Sequence, residues 1–282
     1  MRSAVVLRPP SLPAFSLLVP LAAAYWFVFA SLAAQWADDP NYAHGFFVIP
    51  MAMALAWRRR GAWAGAPSRP DARGLILVAC AGVIYLAGIL AAELFTMRVS
   101  LVVALAGMVW TLEGVERLRV MRFPLFFLFA MIPIPYVFYY RLTFPLQLES
   151  SRLAADFLGA MGMPLVRAGN VIHLEGYSLE VVSACSGLRS IMTLGTMALF
   201  ISDFLRMGPA LRSIFFILVI PIAVVTNVAR LVLTAGLAAL EGPKAAESFL
   251  HELSGVVVFV VGLCAIAACG KGLEWIARAR RS

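Results

Sequence analysis

Apolar runs of roughly membrane-spanning length recur along the whole chain, separated by short polar or charged connections. They predict spans at about Pro13–Ala34, Gly45–Trp57, Gly74–Ala92, Val99–Leu112, Phe123–Tyr140, Ser186–Phe204, Ser213–Arg230 and His251–Gly270. The second is short unless it starts within the preceding loop, and the seventh continues as helix toward Ala239. Glu93–Arg98 reads as a tight turn, and Pro133 and Pro135 predict a kink or break at the outer end of span five. The longest polar region is Arg141–Ala184. Its first half, Leu142–Leu165, predicts a helix lying in the membrane interface, with Leu146, Leu153 and Phe157 set against Glu149, Ser150 and Arg152. Its second half, Val171–Val182, alternates around Gly176 and predicts a small hairpin. The expected fold is an all-α polytopic membrane protein of about eight transmembrane helices, with an extracytoplasmic interfacial helix and hairpin before span six. It forms a single integral membrane domain over 1–282, without a strong internal repeat or a second soluble domain.

Composition agrees with the pattern. Hydrophobic residues make up 62% of the chain and charged residues 13%, where a soluble domain carries about a quarter charged. The first apolar run is long enough to remain as a spanning helix, so no cleaved leader is expected. The net charge of +8 does not point to nucleic acid, because the basic residues fall in short clusters between apolar runs. All but seven of the 23 Lys and Arg lie at the N-terminus, in the 58–73 and 117–122 connections, at Arg206 and Arg212, or in the tail. Arg98, Arg141, Arg152, Arg167, Arg189, Arg230 and Lys244 are spread over the opposite side. The positive-inside rule therefore predicts a cytoplasmic-membrane protein with both termini cytoplasmic.

Candidate chemistry centres on Val181–Ser190, which reads V-V-S-A-C-S-G-L-R-S. Cys185 precedes a long apolar run, and a thiol at a helix N-terminus has its pKa lowered by unpaired N–H groups and the macrodipole. Ser186 and Gly187 offer backbone N–H groups to a developing oxyanion. A lone cysteine is more often a small buried hydrophobe. The predicted topology argues otherwise, because Cys185 opens span six from the outside, Arg230 falls near the outer end of span seven, and His251 opens span eight from the outside. A thiol, a guanidinium and an imidazole thus reach one depth on one face. An arginine within an apolar helix is costly unless paired or solvated, although near an end it also snorkels. Asn227, three residues before Arg230, shares its helical face. Cys80, Cys264 and Cys269 read as packing residues, and His44 and His173 as outer loop histidines. Ligand spacing for a metal is lacking, and no cofactor is expected.

These residues carry a resemblance. Ala184-Cys185-Ser186-Gly187-Leu188-Arg189, Asn227-Val228-Ala229-Arg230, and His251 at the start of the last helix are similar to the exosortase/archaeosortase family. Tyr42-Ala43-His44-Gly45 followed by Arg58-Arg59 resembles that family's N-terminal region. The resemblance spans nearly the whole chain. It implies a multi-pass cysteine peptidase/transpeptidase with Cys185 as nucleophile and Arg230 and His251 completing the site, supported by Ser186, Gly187, Asn227, Arg189 and His44. It further implies exported protein partners bearing a C-terminal signal: a short Pro-Glu-Pro-type motif, a transmembrane helix and a basic tail. Membrane lipid is the other expected partner. The competing class is a transporter or polysaccharide-export subunit in which Arg230 binds an anionic substrate. Against it stand the lack of an inverted repeat and of charges through the midplane. A scaffold protein would explain the spans but not a lone outer thiol.

Overall fold

A computed structural model describes residues 19–175, 177–180, 188–241 and 249–279, with the backbone alone at 177, 188, 238–241 and 249–254. The chain divides into two compact units, Met1–Ile134 and Pro135–Ser282.

In the first unit, helical residues 19–24 lead into α1 (Trp26–Asp38), so helix extends into what the sequence pattern reads as a loop from Gln35. There follow α2 (Gly45–Arg58), α3 (Arg60–Gly65), α4 (Gly74–Leu90), α5 (Leu94–Glu113) and α6 (Val115–Phe127), which runs into a 3-10 turn at Leu128–Met131. Helices α4 and α5 pack antiparallel at close range: Gly74 lies against Thr111, and a Cβ on Gly107 would come within 2.8 Å of the Val78 side chain.

The expected turn over Glu93–Arg98 is corrected, because α5 already begins at Leu94. The carboxylate of Glu93 accepts from the backbone N–H groups of Phe95 (2.9 Å) and Thr96 (2.7 Å), satisfying orphan donors of the first turn. Arg98 consequently points into the unit and is 3% exposed. The 117–122 connection is corrected in the same way. The extended segment 66–73 is strapped along the end of α5 by Arg69 N–H to Glu113 O (3.2 Å) and Asp71 N–H to Thr111 O (3.1 Å). The chain then turns at Gly114 (φ +91°), a backbone angle that favours glycine, and becomes helical at once.

Pro133 and Pro135 break the helix as expected. An unbroken helix would satisfy the Met131 carbonyl with the N–H of residue 135, which proline lacks. The indole Nε1–H of Trp36 donates to that carbonyl instead, at 3.0 Å, and Tyr42 donates to the Ile134 carbonyl at 3.4 Å.

In the second unit, the remainder of span five and the interfacial helix are one continuous element, α7 (Tyr136–Ala160). Its faces do not divide as the expected amphipathic pattern has them, since Glu149 and Arg152 are exposed together with Leu153 and Phe157. Thr143, Gln147, Ser150 and Ser151 are buried, while Leu153 and Phe157 are 45% and 54% exposed. The small and polar stripe admits close packing, and the large apolar residues are left to the outside. The predicted hairpin is present as β2 (Val171–Leu174) and β3 (Tyr177–Glu180), antiparallel with His173 opposite Ser178. A third strand, β1 (Leu165–Ala168), pairs with β2 and starts at the residue where the expected helix ends. The unit closes with α8 (Leu188–Phe204), α9 (Pro209–Glu241) and α10 (Phe249–Ala279).

Among the described residues, three helices are long and apolar enough to cross a membrane: Leu94–Glu113, Pro209–Leu237 and Gly255–Ala279. A fourth is counted if Val115–Met131 and Tyr136–Ala160 form one broken span, and Gly45–Arg58 and Gly74–Leu90 are shorter apolar helices.

Candidate active site

Two packing layers fix how α8, α9 and α10 run against one another. In one, a Cβ on Gly270 would lie 2.9 Å from the Leu205 side chain and 3.2 Å from Phe215. In the other, a Cβ on Gly262 would lie 3.1 Å from Leu194 and 3.4 Å from Thr226. Passing from the first layer to the second, the chain number falls along α8, rises along α9 and falls along α10. The three helices therefore alternate in direction.

Beyond the second layer lie the first residues of α8, Arg230 on α9, and His251 in the first turn of α10. At 1.5 Å per residue these stand about 9, 6 and 16 Å further along their helices. They occupy the same end of the three-helix packing, with the α10 position reaching furthest. The side chain of His251 lies outside the described residues, as do Cys185, Ser186 and Gly187 altogether. Arg189, in the first turn of α8, is half-buried, and its carbonyl accepts the Thr193 hydroxyl at 2.9 Å.

The local sequence accounts for where α9 places its two polar residues. Val228, Leu231, Val232 and Ala235 pack against Ala154, Ala155 and Leu158 of α7 and against Ile172 and Leu179 of the sheet. Phe215, Val219 and Ala223 pack instead toward Leu194, Ala198 and Ile266. Asn227 and Arg230 sit one turn apart at the junction of these two clusters, Asn227 1% exposed and Arg230 half-buried. The three-stranded sheet is thus anchored on the same stretch of α9 that carries Arg230. Its last strand leads by chain order into 181–187, the segment that holds Cys185.

His44 belongs to the first unit, at the start of α2. Burial pushes its imidazole pKa below the ordinary histidine value, opposed by the backbone at Ala130 and Asn41. With Trp36 and Tyr42 it attends the broken segment after α6. The sequence pattern reads His44 as a loop histidine and does not reveal this grouping. The clue was the Pro133/Pro135 pair, which leaves carbonyls needing side-chain donors. Among the described residues no group of three or more His, Cys, Asp and Glu is arranged to hold a metal.

Long apolar helices, a half-buried arginine one turn from a buried asparagine, and a small sheet on the same helix define a polytopic helical membrane protein. Residues 36–268 match the family model described as transmembrane exosortase, and the chain belongs to that family. The match covers Cys185, Arg230 and His251 together with their supporting residues. No curated protein and no solved structure matches the chain.

Proposed function

We propose that the protein is a membrane-embedded cysteine peptidase/transpeptidase that removes C-terminal sorting signals from exported proteins at the outer face of the cytoplasmic membrane. The observation that carries this reading is the family match over 36–268, which takes in all three motifs. The alternating directions of α8, α9 and α10 support it, because they put the start of α8, Arg230 and the backbone of His251 at one end. We read both units as one functional domain of eight spans with cytoplasmic termini, in which α2 and α4 are the short ones.

In the proposed mechanism the Cys185 thiolate attacks the scissile carbonyl carbon, and the tetrahedral oxyanion collapses to a thioester as the C–N bond breaks. His251, as imidazolium, gives its proton to the departing amine. As neutral imidazole it then takes a proton from the incoming water or amine, which releases the acyl group and restores the thiol site. Arg230 supplies fixed positive charge to the oxyanion or to the thiolate. Asn227 holds the arginine, Arg189 and the N–H groups of Ser186 and Gly187 line the α8 end, and His44 supports the N-terminal region. The acyl-donor substrate is an exported protein whose signal helix lies beside the spans, which puts the cut at the membrane boundary. No cofactor or metal enters any step.

Co-expression with a protein bearing such a signal tests the reading. Wild type should shorten the substrate, and Cys185→Ala should leave it full length. Unchanged shortening by the mutant rejects the enzyme.

A further inference from the structure

One end of the first unit gathers four helix ends and most of that unit's charge. Helix α2 stops there at Arg58, α4 starts at Gly74, α5 stops at Glu113 and α6 starts at Val115. Arg58, Arg59, Arg60, Arg69, Arg73, Arg117, Arg119 and Arg122 lie at this end, against Asp71, Glu113 and Glu116. The three carboxylates are already committed within the unit. Asp71 accepts from the Arg73 N–H (2.9 Å) and the Trp110 indole (3.2 Å), Glu113 takes Ser68 and Arg117, and Glu116 takes Arg119.

Arg117 and Arg119 pair with those acids, and three of the guanidinia also contact carbonyl or aromatic groups. Arg59 donates to the Leu55 carbonyl (3.0 Å) and lies 5.4 Å from the Phe123 ring centre. Arg60 donates to the Trp57 carbonyl (3.2 Å) and lies 4.9 Å over the Trp57 ring. Arg117 lies 5.0 Å over Trp63. The Arg59–Phe123 contact brings the Arg58–Arg60 run beside Arg122, and Arg58, Arg60 and Arg122 are exposed. Next to them are large exposed apolar side chains, Met53 at 67%, Trp57 at 61% and Phe126 at 55%. Exposed positive charge, with the Arg60 guanidinium positioned over Trp57 and an exposed apolar and indole border beside it, matches a phosphate diester that carries acyl chains.

We propose that this end of the first unit binds the headgroup of an anionic phospholipid, with Arg58, Arg60 and Arg122 on the phosphate and Trp57, Met53 and Phe126 along the acyl chains. A free phosphate shares the headgroup chemistry but makes no use of the apolar border. The site is independent of the peptidase reading and needs only that the unit sits in a membrane.

The test offers the full chain, in mixed micelles, equimolar phosphatidylglycerol and phosphatidylcholine, and counts retained lipid by native mass spectrometry. Wild type should retain phosphatidylglycerol in about tenfold excess. The triple variant Arg58→Gln/Arg60→Gln/Arg122→Gln should fall to near parity. The matching lysine triple keeps the charge and should hold a preference of about threefold or more. Arg122→Gln alone, a milder change on an exposed helix face, should lower the preference about threefold. Parity in wild type, or an undiminished preference in both glutamine variants, overturns the proposal. Displacement of phosphatidylglycerol by millimolar inorganic phosphate, but not by chloride at equal ionic strength, overturns the lipid assignment and leaves a free-phosphate site.

Discussion

Arg98 on α5 donates to the side-chain oxygen of Gln35 on α1 at 2.6 Å, joining two helices far apart in sequence through a buried charge. Its other terminal nitrogen reaches the backbone oxygen of Ser31 at 3.3 Å. Among the described residues no carboxylate makes an ion pair with it, and Glu93, close enough to act on it through space, is occupied at its own helix start. The guanidinium therefore makes its hydrogen bonds to neutral acceptors, with Glu93 acting on it only through space. Such an arrangement costs desolvation that only well-placed hydrogen bonds offset.

Gln35→Leu should accordingly destabilise the first unit by about 2 kcal/mol, since it strands a buried cation. Arg98→Met in that background should recover most of the loss, because an apolar pair leaves nothing unsatisfied. Thermal unfolding of the four proteins in one detergent measures this cycle. Additive losses would show that the two residues do not act as a pair.

Glu93 offers a pH-dependent prediction. Burial raises its carboxyl pKa, but hydrogen bonds from the Thr96 hydroxyl and N–H and the Phe95 N–H, with the Arg98 charge, outweigh that and hold it below the usual carboxylate range. A depressed folded pKa gives stability that is present above the unfolded value of about 4.3 and is lost as pH falls through the folded one. Between neutral pH and about pH 3, wild type should lose more stability than Glu93→Gln. Parallel loss in the two proteins would remove Glu93 from the account.

His44 gives a second pH effect with its window higher up the scale. Its folded pKa lies below the unfolded value of about 6.5, so its contribution is complete above that value and is lost as pH falls through the folded pKa. Unfolding temperatures taken from pH 7.5 to 5 should therefore drop more steeply for wild type than for His44→Gln. Equal slopes would mean that protonating His44 does not strain the segment after α6.

Gly262 ties the scaffold of the second unit to the proposed site. Its missing Cβ leaves room for Leu194 of α8 and Thr226 of α9, one turn from Arg230. Gly262→Ala crowds only the ends of those side chains and should cost about 1 kcal/mol, whereas Gly262→Leu should cost about 3 kcal/mol by separating the helices. Substrate processing should follow the same order. Full processing by Gly262→Leu would show that this layer does not govern the site.

Much of this architecture is legible in the sequence. The apolar runs foretell α2, α4, α8 and the cores of α9 and α10, and Pro133 and Pro135 foretell the break, because proline acts locally whatever surrounds it. Alternation around Gly176 foretells the β2–β3 pair. Less legible are features set by contacts distant in sequence. The buried face of α7 is its polar and small one, since in a membrane the outside is as apolar as any core and periodicity alone does not say which face turns inward. Strand β1 exists because β2 pairs with it, and the role of Arg98 depends on what α1 presents to it. At the site, Arg230 and Asn227 could be placed on one helical face from spacing, but the sheet packed on that stretch of α9 could not.

A covalent thioester on Cys185 is the step on which the proposed mechanism turns, and the roles of the other two residues separate by substitution. Arg230→Lys keeps the charge but not the planar fork, and should be slowed without being silenced. His251→Ala and His251→Gln should be similarly inactive, since neither side chain carries a proton at neutral pH.

The most direct measurement is peptide mass spectrometry of the protein purified with its substrate, reading the mass attached to Cys185. An acyl adduct should appear there, released by hydroxylamine, absent from Cys185→Ala and enriched in His251→Ala if acylation proceeds without the histidine. A substrate processed in full by Cys185→Ala, with no adduct on that residue in any variant, contradicts the thioester mechanism.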